Sequence, residues 1–323
     1  MKYVVLGAGA IGGVVGGRLA QAGHDVTLIA RGPHLAAMRE SGLRIESPTG
    51  TEKVDVRAVG DPAEVDWTDD HAVLLAVKSQ QTDAALESLA VAASARTPVV
   101  CLQNGVANER AALRLFANVY AVCVALPATH LVPGVVQAWS SPVTGMLDLG
   151  RHPGGVDATA ETVAEDFRSA AFDSYAVDDI ARWKYRKLLS NLGNAIEVIC
   201  GHDERGGRLD DVVRAEGEAV LAAAGHAVAT ADEDRARRSG VLRIGDIHGK
   251  AREGGSSWQS VQRQTGDIET DYLNGEIVQL GRVHDVPTPA NELLQRLARD
   301  RMTKRLPDPI HAADVLRMLE HTA

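Results

Sequence analysis

The residues best able to do chemistry fall in two regions of the chain. Near the amino end, Gly7-Ala8-Gly9-Ala10-Ile11-Gly12 follows a short apolar run and opens an alanine- and glycine-rich segment. Glycines at this spacing, between a strand and a helix, let backbone N–H groups and the positive end of the helix face a pyrophosphate. Close packing alone is the competing use of such glycines, and the strand and helix patterns on either side favour a dinucleotide. Further along, Lys187, Asn191 and Asn194 recur at i, i+4 and i+7, which puts an ammonium and two amides on one helix face able to grip a polar small molecule. Lysine and asparagine on a helix are more commonly a wet surface. Lys184 lies one turn earlier beside the same stripe, so spacing does not choose between the two lysines.

Other positions refine the dinucleotide. The second apolar run ends Ile29-Ala30-Arg31, without the acid that accepts from a ribose 2′-hydroxyl in NAD sites. Arg31 suits a 2′-phosphate, so NADP is expected over NAD, although strand-end loops also carry arginines for solubility. Lys78 follows the run 73–77 and Gln103-Asn104-Gly105 follows 98–102, both at carboxyl ends of strands, where parallel sheets bind ligands. Lys78 is a candidate for cofactor phosphate or ribose, and Asn104 for ribose or substrate; taken singly, a loop lysine and an Asn-Gly turn explain them equally well. Downstream, Ser256-Ser257-Trp258-Gln259 has the pattern of a capping box, starting a helix that would carry Glu269, Tyr272, Leu273 and Asn274. On spacing alone Ser256 is a cap, Glu269 a surface acid, and Val261, Ile268 and Tyr272 a core-facing stripe.

These residues need elements to hold them. From residue 1 to about 150, β-branched runs at 3–6, 26–30, 73–77, 98–102 and 119–126 alternate with helical patterns, the signature of βαβ units on a parallel sheet. A hairpin around Pro48-Thr49-Gly50 and strands near 135–139 and 145–149 are expected to extend that sheet at one end, and 157–171 to form one more helix. After Val177 helical periodicity takes over, which divides the chain into a Rossmann-type α/β domain over 1–177 and an all-α domain over 178–323. The basic stretch from Arg235 to Arg252 is expected to be a solvated helix face.

Composition limits the partners. With 323 residues, 45% apolar and 24% charged, the chain is long enough for two cores and is not disordered. A net charge of −9 repels nucleic acid, and any anionic substrate must be drawn by a local basic pocket. Cys101, Cys123 and Cys200 are odd in number and widely spaced, form no metal motif, and suit a cytoplasmic setting. The apolar stretch 3–17 carries six glycines and is too short to span a membrane. No metal site is expected, and a homodimer is left open.

Taken together, the motifs make the chain resemble the ketopantoate reductase family, the 2-dehydropantoate 2-reductases, over nearly its whole length. The resemblance rests on Gly7 to Gly12, Gln103-Asn104-Gly105-Val106, Lys187 with Asn191, and Ser256-Ser257 followed by Ile268-Glu269-Thr270-Asp271-Tyr272-Leu273-Asn274-Gly275. It implies NADPH and a 2-keto acid meeting between a Rossmann and a helical domain. It further implies that Lys187 is the general acid and that Glu269 binds substrate and orients the lysine. Asn104, Asn191 and Ser257 are then holders of cofactor or substrate, and Lys78 lies near the nicotinamide. The chain departs from the family where Ala195, Gly254 and Trp258 replace an asparagine, an asparagine and a methionine. These changes bear on the identity of the keto acid, and leave a non-catalytic NADP-binding redox sensor as the alternative.

Overall fold

The computed structural model describes residues 1–252, 268–306 and 308–321. Its first 181 residues build a sheet of eight strands, ordered β12-β11-β8-β7-β6-β1-β2-β5. From one edge inward run β5 (Arg57–Val59), β2 (Val26–Ile29), β1 (Lys2–Leu6), β6 (His71–Leu75) and β7 (Val99–Cys101), each parallel to its neighbour. β8 (Val119–Ala125) continues in parallel, β11 (Gly145–Arg151) runs antiparallel to it, and β12 (Phe172–Asp173) closes the edge. Strands such as Val4-Val5-Leu6 and the whole of β6 are buried on both faces, as a sheet covered on both sides requires. Alternate residues therefore feed two cores. Tyr3, Val5, Leu28 and Leu74 pack with helix α1 (Ala10–Gln21); Val4, Leu6, Val73 and Leu75 pack with Leu86 and Leu89 of a later helix.

A second sheet departs from the expected extension. The hairpin β3 (Leu43–Ser47) and β4 (Gly50–Val54) joins β10 (Val135–Ala138) and β9 (Ala128–Thr129) in a separate four-stranded sheet. The cause is the glycine content of α1. A Cβ on Gly16 would strike Leu28 and Val5 of the main sheet, and a Cβ on Gly13 or Gly17 would strike Val136 or Ile45 of the second. The helix thus presents two smooth faces and takes a sheet on each. Of the strands expected to extend the main sheet, β11 does so, with β12 beyond it.

The remaining helices of this half are α2 (Gly32–Ser41), α3 (Thr82–Ala92), α4 (Asn108–Leu113) and α5 (Ala158–Ser169). Asp157 caps α5: its carboxylate accepts from the Ala160 amide, the Tyr120 hydroxyl and Arg151.

After residue 179 the described α-helices are α6 (Ile180–Asn191), α7 (Asn194–Cys200), α8 (Arg208–Ala223), α9 (Ala231–Arg238), α10 (Asn274–Val283), α11 (Pro289–Met302) and α12 (Ala312–Glu320). In α8 the apolar residues Leu209, Val213, Val220 and Leu221 form one buried stripe. The compact units are Met1–Ala181 with Asp232–Arg252, and Arg182–Ala231 with the residues from 253 onward. Segment Asp232–Arg252 therefore belongs with the sheet unit, whereas a single cut after residue 177 assigns it to the helices. Arg237 explains this. Its guanidinium takes Asp148 of β11 through Nε and Nη2 at 2.7 Å each and Asp173 of β12 through Nη1 at 2.7 Å, and lies over the Tyr175 ring. The basic stretch is largely exposed, as expected, with no buried residue in α9, but at Arg237 it is tied to the sheet edge.

Candidate active site

The parallel strands bring four expected positions to one edge. β1, β2, β6 and β7 all end on the same side, and the chain winds outward in opposite directions from β1 and β6, where doubly wound sheets bind ligands. Gly7 leaves β1 with φ +105°, and its amide and that of Ala8 donate to the carbonyl of Ile29 at the end of β2. A Cβ on Gly7 would lie 2.8 Å from the Val77 nitrogen, so the loop presses directly on the end of β6. Gly9 is the N-cap of α1, which has neither a side-chain cap nor an acid in its first turn. Among the described residues, its chain neighbours and its own helix backbone apart, nothing lies within 4 Å of a Cβ on Gly9. An uncapped twelve-residue helix opening onto clear space fits a dinucleotide pyrophosphate, with Ala10, Ile11 and Gly12 as first-turn donors.

Arg31 is exposed and is the N-cap of α2, two residues beyond the carbonyl that holds the glycine loop. Lys78, half-buried, follows β6, and Asn104, half-buried, follows β7. A buried polar network that the sequence did not reveal locks these last two loops together. Gln103 Nε2 donates to the Val77 carbonyl at 2.7 Å and to Thr82 Oγ1 at 2.8 Å, and Thr82 donates to Asn108 Oδ1 at 2.8 Å. Asn108 Nδ2 returns to the Asn104 carbonyl at 3.0 Å and to Ser79 Oγ at 3.2 Å. Gln103 was legible only as a neighbour of Asn104, and nothing in the local pattern pointed to Thr82 or Asn108.

His34 was also missed. Buried in α2, it stands 2.8 Å through Nε2 from the Ala8 carbonyl and accepts at Nδ1 from the Gly134 amide at 2.8 Å. The Gly134 donor fixes Nδ1 as the bare nitrogen, so Nε2 carries the hydrogen and donates to Ala8. Burial pushes the imidazole below its ordinary pKa, against the opposing pull of the Ala8 carbonyl.

In the helical unit, α6 stops at Asn191, so the expected stripe is shorter than its spacing implied. Lys187 is half-buried and Asn191 buried, one turn apart on the same face, while Lys184 is buried to 5% exposure. Asn194 does not continue that face. It opens α7, and its Oδ1 accepts from Arg205 Nη1 at 3.2 Å. The break occurs at Gly193, where a Cβ would collide with Asp210 and Arg205, an ion pair folded over the turn.

Glu269 likewise is not inside a long helix. It begins a 3-10 turn, Glu269–Tyr272, after extended Ile268, and α10 starts at Asn274. Asn274 and Asn291 are fully buried. Asn274 Nδ2 donates to the Leu192 carbonyl at 3.1 Å and to Asn291 Oδ1 at 3.0 Å; Asn291 Nδ2 donates to the Val213 carbonyl and to Glu216. The end of the lysine helix and the end of the glutamate turn are thus pinned to one polar core. Ser257, with Gly254 and Trp258, lies outside the described residues.

Among the described residues no group of three His, Cys, Asp or Glu side chains is placed to hold a metal, and no helix is long and apolar enough to cross a membrane. None of the three cysteines forms a disulfide.

Comparison with known proteins places both halves. Residues 3–153 match the model "Ketopantoate reductase PanE/ApbA" and 179–302 match "Ketopantoate reductase PanE/ApbA C terminal". The chain belongs to the ketopantoate reductase family. Relatives include the 2-dehydropantoate 2-reductases of Pyrococcus horikoshii, 30% identical over 93% of this chain and 97% of that one, and of Halobacterium salinarum, 32% identical over 93% and 98%. Among solved structures, a PanE/ApbA family ketopantoate reductase from Ralstonia eutropha superposes with a TM-score of 0.79 at 30% identity, covering 94% of this chain and 99% of that one. A D-mandelate dehydrogenase at 23% identity shares the fold with a TM-score of 0.80, covering 94% and 99%.

Proposed function

We propose that the chain reduces a 2-keto acid with NADPH, ketopantoate to pantoate being the reaction named for its family relatives. The observation that carries this reading is the convergence of the glycine loop, Arg31, Lys78 and Asn104 at one strand edge, in a chain that matches the family in both halves. The sheet unit is the dinucleotide holder. First-turn amides of α1 take the pyrophosphate, Arg31 reads the 2′-phosphate, and Lys78 and Asn104 hold ribose or nicotinamide-side groups. Local cations matter here because the net charge of −9 opposes an anionic ligand.

NADPH, when bound, supplies the hydride. The Lys187 ammonium hydrogen-bonds the keto oxygen, stabilises the charge that develops there, and transfers its proton as the alcohol forms; solvent reprotonates the amine. Glu269 orients that ammonium, and Asn191 holds a polar group of the substrate. Asn194 has its oxygen engaged by Arg205 and is not needed for this role. The 3-10 turn and the Asn274–Asn291 core keep Glu269 and the end of α6 in fixed positions, so little reorganisation is required at the moment of reaction.

The test is loss of NADPH absorbance on adding ketopantoate and then a panel of other 2-keto acids, with NADH as control. Turnover of ketopantoate supports the reading. Turnover of a different keto acid alone moves the substrate, and silence throughout favours the sensor.

A further inference from the structure

His34 sits where three parts of the sheet unit meet. Its Nε2–H holds the carbonyl of Ala8, the residue between the first two glycines of the loop, and its Nδ1 receives the amide of Gly134 in the turn that leads into β10. The His130 ring packs on it at 4.1 Å between centroids, and His130 Nδ1 in turn lies 2.9 Å from the Val135 carbonyl. One turn along α2, Ala37 rests on the same point, since a Cβ on Gly134 would lie 3.0 Å from that of Ala37. α2 is therefore braced on the second sheet and latched to the glycine loop by the His34 side chain.

Arg31 is the N-cap of the same helix, three residues before His34. Arg31 is exposed and has the rotamer freedom of a surface side chain, so its useful position depends on where the start of α2 is held. We propose that His34 is a positioning residue that, by joining Ala8 to Gly134, fixes Arg31 against the glycine loop and so sets the preference for a 2′-phosphorylated dinucleotide. The inference rests on the dinucleotide reading of that loop.

The experiment is fluorescence titration of the full-length protein with NADPH and NADH, for wild type, His34→Ala, His34→Gln and His34→Asn, each first checked for a cooperative thermal transition. His34→Ala is expected to lower the NADPH-to-NADH affinity ratio about tenfold, mostly through NADPH, the scale of one charge-assisted contact misplaced. Gln keeps a donor where Nε2 stands and is expected to restore most of the ratio; Asn keeps only an acceptor where Nδ1 stands and is not. An unchanged ratio in His34→Ala, or equal weakening of both dinucleotides, overturns the inference. Should the alanine variant fail to fold, equal ratios in Gln and Asn overturn it instead. Wild type that binds neither dinucleotide overturns the functional reading as well, which separates the two failures.

Discussion

Asn274, with no exposed surface, donates a 3.1 Å hydrogen bond to the carbonyl of Leu192, eighty-two residues earlier. That bond joins the turn after the lysine helix to the helix that follows Glu269. Asn274→Ala leaves the Leu192 carbonyl and Asn291 Oδ1 without this donor in a closed core, a loss of roughly 2–3 kcal/mol. Urea titration is expected to show a lower midpoint at unchanged slope, with kcat reduced more than the affinity for NADPH. A midpoint equal to wild type would remove Asn274 from this role.

Lys187→Ala is expected to lower kcat by at least about 100-fold, the scale of general acid catalysis. NADPH titrations should stay close to wild type. Lys184→Met, at a buried position in the same helix, should instead act through stability. If the two variants trade these phenotypes, the acid is Lys184.

Gly9 offers a test of the pyrophosphate cradle that spares the fold. Beyond its own chain neighbours and helix backbone, a methyl there meets none of the described residues within 4 Å, so Gly9→Ala should cost no more than about 1 kcal/mol, the scale of a changed N-cap. It occupies the space expected for the phosphates, and both NADPH and NADH should bind more weakly. Undiminished binding of both would place the phosphates elsewhere.

Arg31→Ala should weaken NADPH about tenfold or more and leave NADH nearly unaffected, because only one ligand carries the 2′-phosphate. The difference should shrink as ionic strength rises, since Arg31 is exposed. KM values for both dinucleotides at two salt concentrations decide the matter.

Asp157 gives the fold an acid-side limit. Burial works to raise its pKa, but the Ala160 amide, the Tyr120 hydroxyl and Arg151 together hold it below the ordinary carboxylate value. A depressed carboxylate contributes stability that is present above the unfolded pKa of about 3.9 and is lost as pH falls through the folded value. Urea midpoints should therefore fall below about pH 4, and Asp157→Asn, which keeps a cap, should flatten that part of the curve. Parallel curves for the two proteins would assign the acid limit to other groups.

The placement of the glycine turn, Arg31, Lys78 and Asn104 at strand ends along one sheet edge was legible because its parts are local. A glycine turn between a β-branched run and a helix, and polar residues just after such runs, are determined by a few neighbours in sequence. The second sheet was not legible as a separate layer: the hairpin at Pro48 looks the same in either sheet, and what decides is the fit of Gly13 and Gly17 against Val136 and Ile45. The Lys187 stripe was overextended because periodicity continues through Gly193, and only the Arg205–Asp210 pair above it shows why the helix must break. His34 was invisible for a related reason, its Gly134 partner lying one hundred residues away.

The chain passes from one unit to the other after Ala181, after Ala231 and after Arg252. The dinucleotide-binding unit is accordingly not a contiguous stretch of gene. A fragment ending near residue 177 would encode the glycine loop and all the described strands of both sheets, yet would leave Asp148 and Asp173 at the sheet edge without Arg237. The two halves could not then be inherited or exchanged as separable cassettes, and any recombination that swapped the helical half alone would have to carry Asp232–Arg252 matched to the sheet of its host.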